Sequence, residues 1–494
     1  MEVAMAMIFM SLRFATGLLD RMVTMYLQVV WFIVAEVFDM FTDKEGKFSE
    51  KVGGNIKGMI DLYGASQLRM EGEAILDEAE LFGLKILKER SAHLGVDKAE
   101  FVRSTLEQPF HKSLPIFTSR NFLEGTHGMN GWVNALQDVA KMNFNVLQSE
   151  YQTEIFHISK WWAELGLANE LKYARNQPLK WYIWSLACLT DPSFSEERVV
   201  LTKPISFIYL IDDIFDIYGT LEELTVFTKA VTRWDIEATE KLPDYMKICF
   251  RALYDVTNEI SYKVYLKHGW NPSGSLRKAW GRLCEAFLTE AEWFASGKMP
   301  SAEEYLKNGI VSSGVHVVLV HIFFLLGQRL SQETVQKIDN NPTIISSTAT
   351  ILRLWDDLGS AEDENQEGKD GSYMEYVMKE MKEGERAREV VMGKISEAWK
   401  GLNREFVLDD TTPHATAHGE PPPGVESHDS TPGGVTWYRK VTFYTGWKVT
   451  FLHRVTLPDV ESHVSTPGRG PPSIESDFST PVGFSTGVEK SCRK

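Results

Sequence analysis

Apolar residues recur three and four positions apart along most of the chain, and this spacing restricts its fold more than any other feature. The stretch YGASQLRMEGEAILDEAELFGLKILKER shows the pattern, with charged residues between the apolar ones. From residue 121 to residue 406 the helical signals continue, rich in Trp, Tyr and Phe, while the alternation typical of strands is scarce. The sequence therefore predicts an all-α fold.

Composition limits the classes of function. The 494 residues are 43% hydrophobic and 24% charged, which is ordinary for a soluble protein with two or more domains. A formal net charge of −16 argues against a nucleic-acid partner, because no basic surface is available for phosphate backbones. The acidic balance is compatible with an anionic substrate if the carboxylates hold cations. The uncharged stretch 22–35 is too short for a comfortable membrane span, so we expect no stable membrane insertion.

The composition changes abruptly after residue 408. PPPGVESHDSTPGG, LPDVESHVSTPGRGPP and PSIESDFSTPVG are three copies of one degenerate Pro/Ser/Gly motif. Such a tract cannot bury enough apolar surface to offset its chain entropy. We therefore expect residues 409–494 to form a low-complexity, disordered tail.

Helix punctuation is clear in the middle of the chain. Pro204 suits the first turn of a helix, and Gly219 suits a helix end. Thr220 and Glu223 are spaced as a capping box that opens the next helix.

His316 and His321 lie in an apolar helical stretch, and we interpret them as hydrogen-bonded residues of the core or of a pocket wall.

Three aspartates interrupt the apolar helical run FIYLIDDIFDIYG at residues 207–219. On a helix Asp212 and Asp216 share one face, with Asp213 beside them. A solvated acidic face is the simpler interpretation, but the flanking isoleucines leave little room for a wet side. Buried carboxylates repel one another unless a cation joins them. Oxygen ligands suit Mg²⁺, so metal binding is the alternative.

A second acidic cluster follows in RLWDDLGSAEDENQEGKDGSY. Asp356, Ser360 and Glu364 are spaced at i, i+4 and i+8, which lines one helical face with oxygen donors over two turns. An acidic helix end explains the later carboxylates of this stretch. It does not explain two aspartates directly after the apolar Leu354 and Trp355. Two such faces could clamp several metal ions around a diphosphate.

These two motifs resemble those of plant class I terpene synthases. DDIFD resembles the DDxxD motif of that family, and DDLGSAEDE fits its second metal motif, (N/D)D(L/I/V)x(S/T)xxxE. The tract ISKWWAELGLANELKYARNQPLKWYIW is similar to the one that carries the RxR motif. The resemblance covers residues 35–406. It implies a class I terpenoid synthase helical bundle, with an α-helical N-terminal domain packed against it.

The resemblance also implies the metal ligands. Asp212 and Asp216 would coordinate Mg²⁺, with Mn²⁺ as an alternative, while Asp213 would support them. Another ion would be held by Asp356, Ser360 and Glu364.

Three further residues receive catalytic roles from the resemblance. Arg353 stands where the family places a diphosphate-binding arginine, and its fork suits phosphate oxygens. Arg175 matches the first arginine of RxR, whereas Gln177 replaces the second. Trp184 occupies the position of a pocket aromatic whose face can stabilise a carbocation. The alternatives are a surface helix arginine for Arg353 and a plain core aromatic for Trp184.

The chain is most similar to the subfamily that makes acyclic alcohols such as linalool and nerolidol, and no Arg-Arg pair of the kind linked to cyclisation occurs. The likeness breaks at both ends. We therefore expect an aberrant segment at 1–34, a partial N-terminal domain at 35–118 and an incomplete C-terminal metal-binding domain at 119–408. The last two family helices, and the loop between them that closes over the substrate, are replaced by the tail.

The resulting hypothesis is an Mg²⁺-dependent, monomeric enzyme that converts geranyl or farnesyl diphosphate to an acyclic terpene alcohol. One alternative is a catalytically inactive product of the same family. The other is a chain-elongating prenyl diphosphate synthase, which would normally show a second DDxxD. We expect a cytoplasmic location by default, or a plastid if a transit peptide has been lost.

Overall fold

The computed structural model of the protein describes residues 41–43, 47–49, 56–113, 131–172, 174–327, 330–363, 371–381 and 384–408. The helices of the described N-terminal part are α1 (Ile56–Ser66), α2 (Ala74–Ser91) and α3 (Val96–Glu107). Those that follow are α4 (Gly131–Leu165), α5 (Leu167–Glu170), α6 (Pro178–Cys188), α7 (Ser195–Asp213), α8 (Leu221–Arg233), α9 (Asp244–His268), α10 (Ser273–Ser296), α11 (Ala302–Ser312), α12 (Val315–Leu326), α13 (Gln332–Asp339), α14 (Thr343–Asp363), α15 (Tyr373–Met381) and α16 (Gly384–Leu408).

The all-α prediction is confirmed. Within the described ranges the only extended pairing is an isolated antiparallel bridge between Thr42 and Phe48. Short 3₁₀ turns occur at Phe110–Lys112, Pro192–Phe194 and Glu237–Thr239. The predictions for the aberrant segment 1–34 and for the tail 409–494 lie outside the described residues.

The N-terminal helices pack on the end of α16. The fully buried Met59 and Leu62 of α1 belong to a small apolar core shared with α2 and α3. The Asn403 amide of α16 donates to the backbone oxygens of Gln67 (3.2 Å) and Arg69 (2.9 Å). These bonds satisfy backbone acceptors that the end of α1 leaves unpaired, so they fix α16 against the N-terminal unit.

Helix α7 lies at the centre of the C-terminal bundle and contacts α4, α6, α9 and α12. Its Phe207 and Ile211 are fully buried in the main apolar core. On the other side of the same core, α10 contacts α8, α11 and α12. The residues at the C-terminal end of α7 are therefore held by packing on several sides, which gives the aspartates there a rigid base.

A buried ion pair attaches α4 to α7. Arg198 donates from Nε (2.8 Å) and Nη2 (2.6 Å) to the two oxygens of Glu154, and both side chains are almost fully buried. The Tyr182 hydroxyl of α6 donates to Glu154 Oε2 at 2.9 Å. This fork geometry satisfies both charges, as burial requires.

The expectation for Pro204 is wrong. The helix begins at Ser195, so Pro204 lies deep inside α7 and not in its first turn. A proline there removes one backbone hydrogen bond and normally kinks or ends a helix. The helix continues because Leu201, Pro204 and Ile205 are all buried, and their packing outweighs the local preference.

The predicted helix end at Gly219 is confirmed, but the last turn before it is not α-helical. Beyond Asp213 the backbone widens into a π-helical turn, Ile214–Tyr218, which Gly219 ends by donating its N–H to the Ile214 carbonyl (2.9 Å). A Cβ at Gly219 would lie 2.4 Å from the Leu224 side chain, so a larger residue here would have to displace that side chain. Thr220 and Glu223 form the predicted capping box of α8.

Helices α11 and α12 follow each other directly and are separated at Gly314. Gly314 has φ +72°, and a Cβ there would lie 2.7 Å from Ile208 of α7. Among the described residues, Ala302–Leu326 is long and apolar enough to cross a membrane by length and composition, yet 78% of its most apolar window is buried in the protein. His316 and His321 of α12 are buried and hydrogen-bonded to backbone oxygens, as predicted.

Candidate active site

Asp212 and Asp213 lie in the last turn of α7 and both contact Arg175, in the segment that leads into α6. Arg175 donates from its backbone nitrogen to Asp213 Oδ2 (2.7 Å) and from Nε to Asp213 Oδ1 (2.8 Å). Its Nη2 donates to Asp212 Oδ2 at 2.5 Å. Burial alone would lower the pKa of Arg175, but the two carboxylates raise it above its ordinary value. The guanidinium therefore stays charged.

The two aspartates differ in their accessibility. The Asp213 side chain is 6% exposed, and burial raises its pKa although Arg175 lowers it. The Asp212 side chain is 33% exposed. Asp213 therefore anchors the arginine, while Asp212 also has access to the space beside the helix. The supporting role of Asp213 beside the metal stays a prediction.

Asp216 lies on the π-helical turn and is exposed. The sequence interpretation placed Asp212 and Asp216 on one face of a regular α-helix. The structure changes that spacing, because a π turn contains an additional residue and rotates the side chains that follow it. Such turns are frequent at functional sites.

A second aspartate pair on α14 repeats the division of the first. The Asp357 side chain is 6% exposed and accepts hydrogen bonds from the Tyr305 hydroxyl (3.1 Å) and the Tyr373 backbone nitrogen (2.8 Å). Burial raises the pKa of Asp357 to about 7, even though Arg353 lowers it. Its neighbour Asp356 is only partly buried. Asp357 therefore joins α14 to α11 and α15, and Asp356 is the accessible member.

The two accessible aspartates, Asp212 and Asp356, both affect the pKa of the Tyr209 hydroxyl. Burial raises the pKa of Tyr209 to about 12; Arg175 lowers it, while Asp356 and Asp212 both raise it. Helix α12 contacts both α7, which carries Asp212, and α14, which carries Asp356. Residues 144 positions apart in the sequence are thus brought to one region of the bundle, on the side of α7 that carries Tyr209.

Arg353 lies one turn before Asp357 on α14, and 18% of its side chain is exposed. Its Nη2 donates to Ser312 Oγ (2.9 Å) and its Nε to the Gly309 backbone oxygen (3.3 Å). Burial alone would lower the pKa of Arg353, but Tyr305, Asp357, Glu290 and Asp356 raise it. A permanent cation therefore stands beside the second aspartate pair.

Trp184 and Gln177 belong to α6 and the residue before it. Trp184 is partly buried against the main core and its indole N–H hydrogen-bonds the Tyr209 hydroxyl. Gln177 caps α6, and its buried Oε1 has no hydrogen-bond partner among the described residues. A neutral amide therefore occupies the position of the second RxR arginine, and its carbonyl oxygen accepts no hydrogen bond from the described residues.

The remaining sequence-predicted ligands are Ser360 and Glu364. Ser360 lies on α14, but its side chain is outside the description, and Glu364 lies outside the described residues. Within the described residues, no three His, Cys, Asp or Glu side chains form a ready-made metal cage. The donors still suit Mg²⁺, because this ion takes hard oxygen ligands and commonly completes its shell with waters and substrate phosphates.

Three residues near the aspartates were missed by the sequence interpretation. They are Lys180, Tyr209 and Glu290. Burial and Arg175 lower the pKa of Lys180 while Asp356 raises it, so charges of both the RxR tract and the second motif act on this lysine. The sequence could have indicated Lys180, because it is a cation only three positions after Gln177 in the RxR tract. Tyr209 and Glu290 sit in ordinary helical patterns, so only the fold reveals them.

The comparisons with known proteins agree with this geometry. Residues 163–401 match the model for the terpene synthase family, metal binding domain, and residues 30–106 match the terpene synthase N-terminal domain. An (E)-nerolidol synthase from Cannabis sativa is 54% identical over 383 residues, which cover 76% of this chain and 69% of the relative. The chain belongs to the terpene synthase family. The predicted resemblance is thereby confirmed.

Other terpene synthases show similar coverage. A probable terpene synthase 13 from Ricinus communis is 57% identical over 76% of this chain and 66% of its own length. The S-(+)-linalool synthase, chloroplastic, of Arabidopsis thaliana is 49% identical over 75% of this chain and 66% of its own length. This family member thus spans about two thirds of the length of these relatives.

Solved structures share the fold. Isoprene synthase from grey poplar leaves, in complex with three Mg²⁺ ions and dimethylallyl-S-thiolodiphosphate, aligns with a TM-score of 0.71 and 34% identity, covering 82% of this chain and 74% of that one. Limonene synthase with 2-fluorolinalyl diphosphate aligns with a TM-score of 0.74 and 30% identity, covering 85% and 74%. The metal binding domain of the family implies a divalent metal for this chain.

Proposed function

We propose that this terpene synthase is an Mg²⁺-dependent lyase that ionises geranyl or farnesyl diphosphate and releases an acyclic terpene alcohol. The observation that carries the proposal is that each accessible aspartate is accompanied by a charged arginine. Arg175 donates to Asp212 at 2.5 Å and lies over the Tyr209 ring, Arg353 lies one turn from Asp356 on α14, and both aspartates raise the pKa of Tyr209. Two acidic side chains accompanied by two permanent cations suit a ligand that brings both metal ions and a multivalent anion.

Asp212, Asp216 and Asp356 are the described residues that would hold the metal, together with Ser360 and Glu364. When bound, Mg²⁺ would supply neutralising charge for the oxygens of the diphosphate. Asp213 and Asp357 would position their neighbours, because each is buried and committed to hydrogen bonds with other elements.

Ionisation breaks the allylic C–O bond, and its electron pair leaves with the diphosphate. Arg175 and Arg353 stabilise the charge that develops there, because fixed cations in a partly buried site need little reorganisation. The carbon left behind is an allylic cation. Trp184 and Tyr209 present aromatic faces, held by their mutual hydrogen bond, that stabilise a cation without reacting with it.

Water addition at the tertiary carbon, followed by loss of a proton, gives the alcohol. Two observations favour an acyclic product over a ring. The similar relatives include proteins named as nerolidol and linalool synthases. Gln177 lacks the charge of the second RxR arginine, which weakens the hold on departed diphosphate and disfavours its recapture.

Incubation of the purified full chain with Mg²⁺ and either geranyl or farnesyl diphosphate tests the proposal. Gas chromatography with mass spectrometry should detect linalool from the first substrate and nerolidol from the second, and neither product when EDTA is present. Longer prenyl diphosphates as the only products would indicate chain elongation. Diphosphate-dependent thermal stabilisation without any volatile product would indicate an inactive family member.

A further inference from the structure

Glu290 of α10 is a partly buried carboxylate to which the proposed mechanism assigns no role. Its Oε1 accepts hydrogen bonds from Ser312 Oγ (2.7 Å) and Asn308 Nδ2 (3.0 Å), both on α11. Burial raises the pKa of Glu290 above its ordinary value, Arg353 lowers it, and Asp212 raises it. This carboxylate therefore lies within electrostatic reach of both the arginine and the first aspartate motif.

The Ser312 hydroxyl connects Glu290 to Arg353. A hydroxyl has one proton, and here it is donated to the carboxylate, so the lone pairs of the oxygen face outward as acceptors. Arg353 Nη2 donates to that oxygen at 2.9 Å. The direction of both hydrogen bonds is thus set by Glu290, which can only accept while it is ionised.

Gly309 completes the cradle of Arg353. A Cβ at this position would lie 3.2 Å from both Cγ and Nε of the arginine, so glycine lets the side chain lie directly on α11. The Gly309 carbonyl accepts from Nε at 3.3 Å. Two groups of α11, the Ser312 hydroxyl and the Gly309 carbonyl, therefore hold an arginine whose Cα is on α14, and Glu290 of α10 holds the hydroxyl.

We propose that Glu290, acting through Ser312, is a positioning residue that holds the Arg353 guanidinium in the orientation in which it binds the substrate diphosphate. This proposal rests on the proposed function, which assigns Arg353 to the diphosphate. A preset orientation matters because a bidentate arginine contact depends on the plane of the fork, and side chains locked by neighbouring hydrogen bonds lose less entropy on binding.

Titration calorimetry of the full chain with inorganic diphosphate, at saturating Mg²⁺, tests the proposal because it measures the affinity for diphosphate and requires no turnover. Ser312→Ala removes the bridge, and Glu290→Gln removes the charge that orients it. Ser313→Ala is a matched control, because the Ser313 hydroxyl, one residue after α11, bonds backbone groups of neighbouring residues: it donates to the Ile310 oxygen (2.8 Å) and accepts from the Val315 nitrogen (3.4 Å). Glu292→Gln is the second control, since Glu292 is exposed on the same helix as Glu290.

We expect Ser312→Ala to weaken diphosphate binding about tenfold, the value of one charged hydrogen bond, and Glu290→Gln to weaken it severalfold. Both controls should bind as the unmodified protein does. In an Arg353→Lys background, where the fork is absent, Ser312→Ala should cause no further loss, which a purely structural role of Ser312 would not predict.

Two results would overturn the proposal in different ways. If Arg353→Ala loses diphosphate affinity while Ser312→Ala and Glu290→Gln retain it, the positioning role is wrong and the role of Arg353 stands. If Arg353→Ala itself binds diphosphate normally, the assignment of Arg353 in the proposed function fails, and the positioning role fails with it. Should Glu290→Gln not fold, Ser312→Ala alone decides between these results.

Discussion

Arg175 binds Asp213 through two hydrogen bonds, at 2.7 Å from its backbone nitrogen and at 2.8 Å from Nε, while a third reaches the neighbouring Asp212. Adjacent aspartates thus have different tasks. Asp213 is buried and joins α7 to the segment before α6. Asp212 is one-third exposed and remains available to a ligand.

This difference predicts opposite effects of two substitutions. Asp212→Ala should lower Mg²⁺-dependent turnover by at least about 100-fold, because it removes a metal ligand from the site. Its free energy of unfolding should change by less than about 1 kcal/mol, as for a partly exposed ion pair. Asp213→Ala should instead lower the unfolding free energy by about 3 kcal/mol, since it leaves a partly buried arginine short of a partner.

Urea unfolding and steady-state turnover of both variants check this prediction. Arg103→Ala, which removes an exposed ion pair with Glu100 on α3, is a control that should leave both quantities unchanged. Equal turnover of Asp212→Ala and the unmodified protein would remove Asp212 from the site.

Gly314→Ala should be strongly destabilising. Gly314 has φ +72°, and its added Cβ would lie 2.7 Å from Ile208, so the substitution combines backbone strain with a steric clash. We expect a loss of about 2 kcal/mol or more in the unfolding free energy. Gly393→Ala on α16, where nothing lies within 4 Å, should stabilise by about 0.5–1 kcal/mol. Urea unfolding of both variants tests the contrast, and equal stabilities would contradict it.

Acid should destabilise the fold through His321. Burial lowers its pKa to about 4 from 6.5, so the folded state keeps it neutral. Between these two values the unfolded chain binds the extra proton, and stability must fall as the pH drops through that window. The loss for this residue is about 2 kcal/mol at pH 5 relative to neutral pH.

His321→Asn removes this titration, so its unfolding free energy should vary less between pH 7.5 and pH 5 than that of the unmodified protein. Denaturant unfolding at the two values measures the slopes. His93→Asn, at an exposed position, is the control and should keep the original slope. An unchanged slope in His321→Asn would contradict the assignment.

Gln177→Arg should restore a cation beside Arg175. The buried Oε1 of Gln177 makes no hydrogen bond among the described residues, so its replacement breaks none there. The added charge should tighten inhibition by inorganic diphosphate about tenfold and raise the fraction of products that arise from recaptured intermediates. Gln152→Arg on the exposed face of α4 adds the same charge and should change neither. Product profiles and the inhibition constants for diphosphate test this prediction. Equal inhibition constants and product profiles for Gln177→Arg and Gln152→Arg would contradict the role of position 177.

Much of the helical framework follows from the sequence because apolar spacing and capping residues are local signals. Gly219 and the Thr220 capping box were predicted for this reason. Pro204 was misplaced because its effect was overridden by tertiary packing. The π turn at Ile214–Tyr218 was also missed, because its local composition gives no signal for it. It is accompanied by a close contact between Gly219 and the Leu224 side chain, which only the fold shows.

The candidate site was only partly predictable. The motifs marked which aspartates to consider, but not that Asp213 and Asp357 would be buried anchors. That distinction depends on Arg175 and Tyr305, which lie 38 and 52 residues away in the sequence. Glu290 had no signal at all, because its partners Ser312 and Arg353 come from other helices.

A crystal structure of the protein with Mn²⁺ and inorganic diphosphate tests the central claim most directly. Anomalous scattering locates Mn²⁺ independently of the protein density. The account predicts Mn²⁺ beside Asp212 and beside Asp356, with one diphosphate between them that also contacts Arg353. Mn²⁺ at neither aspartate, or a diphosphate bound elsewhere on the protein, would contradict it.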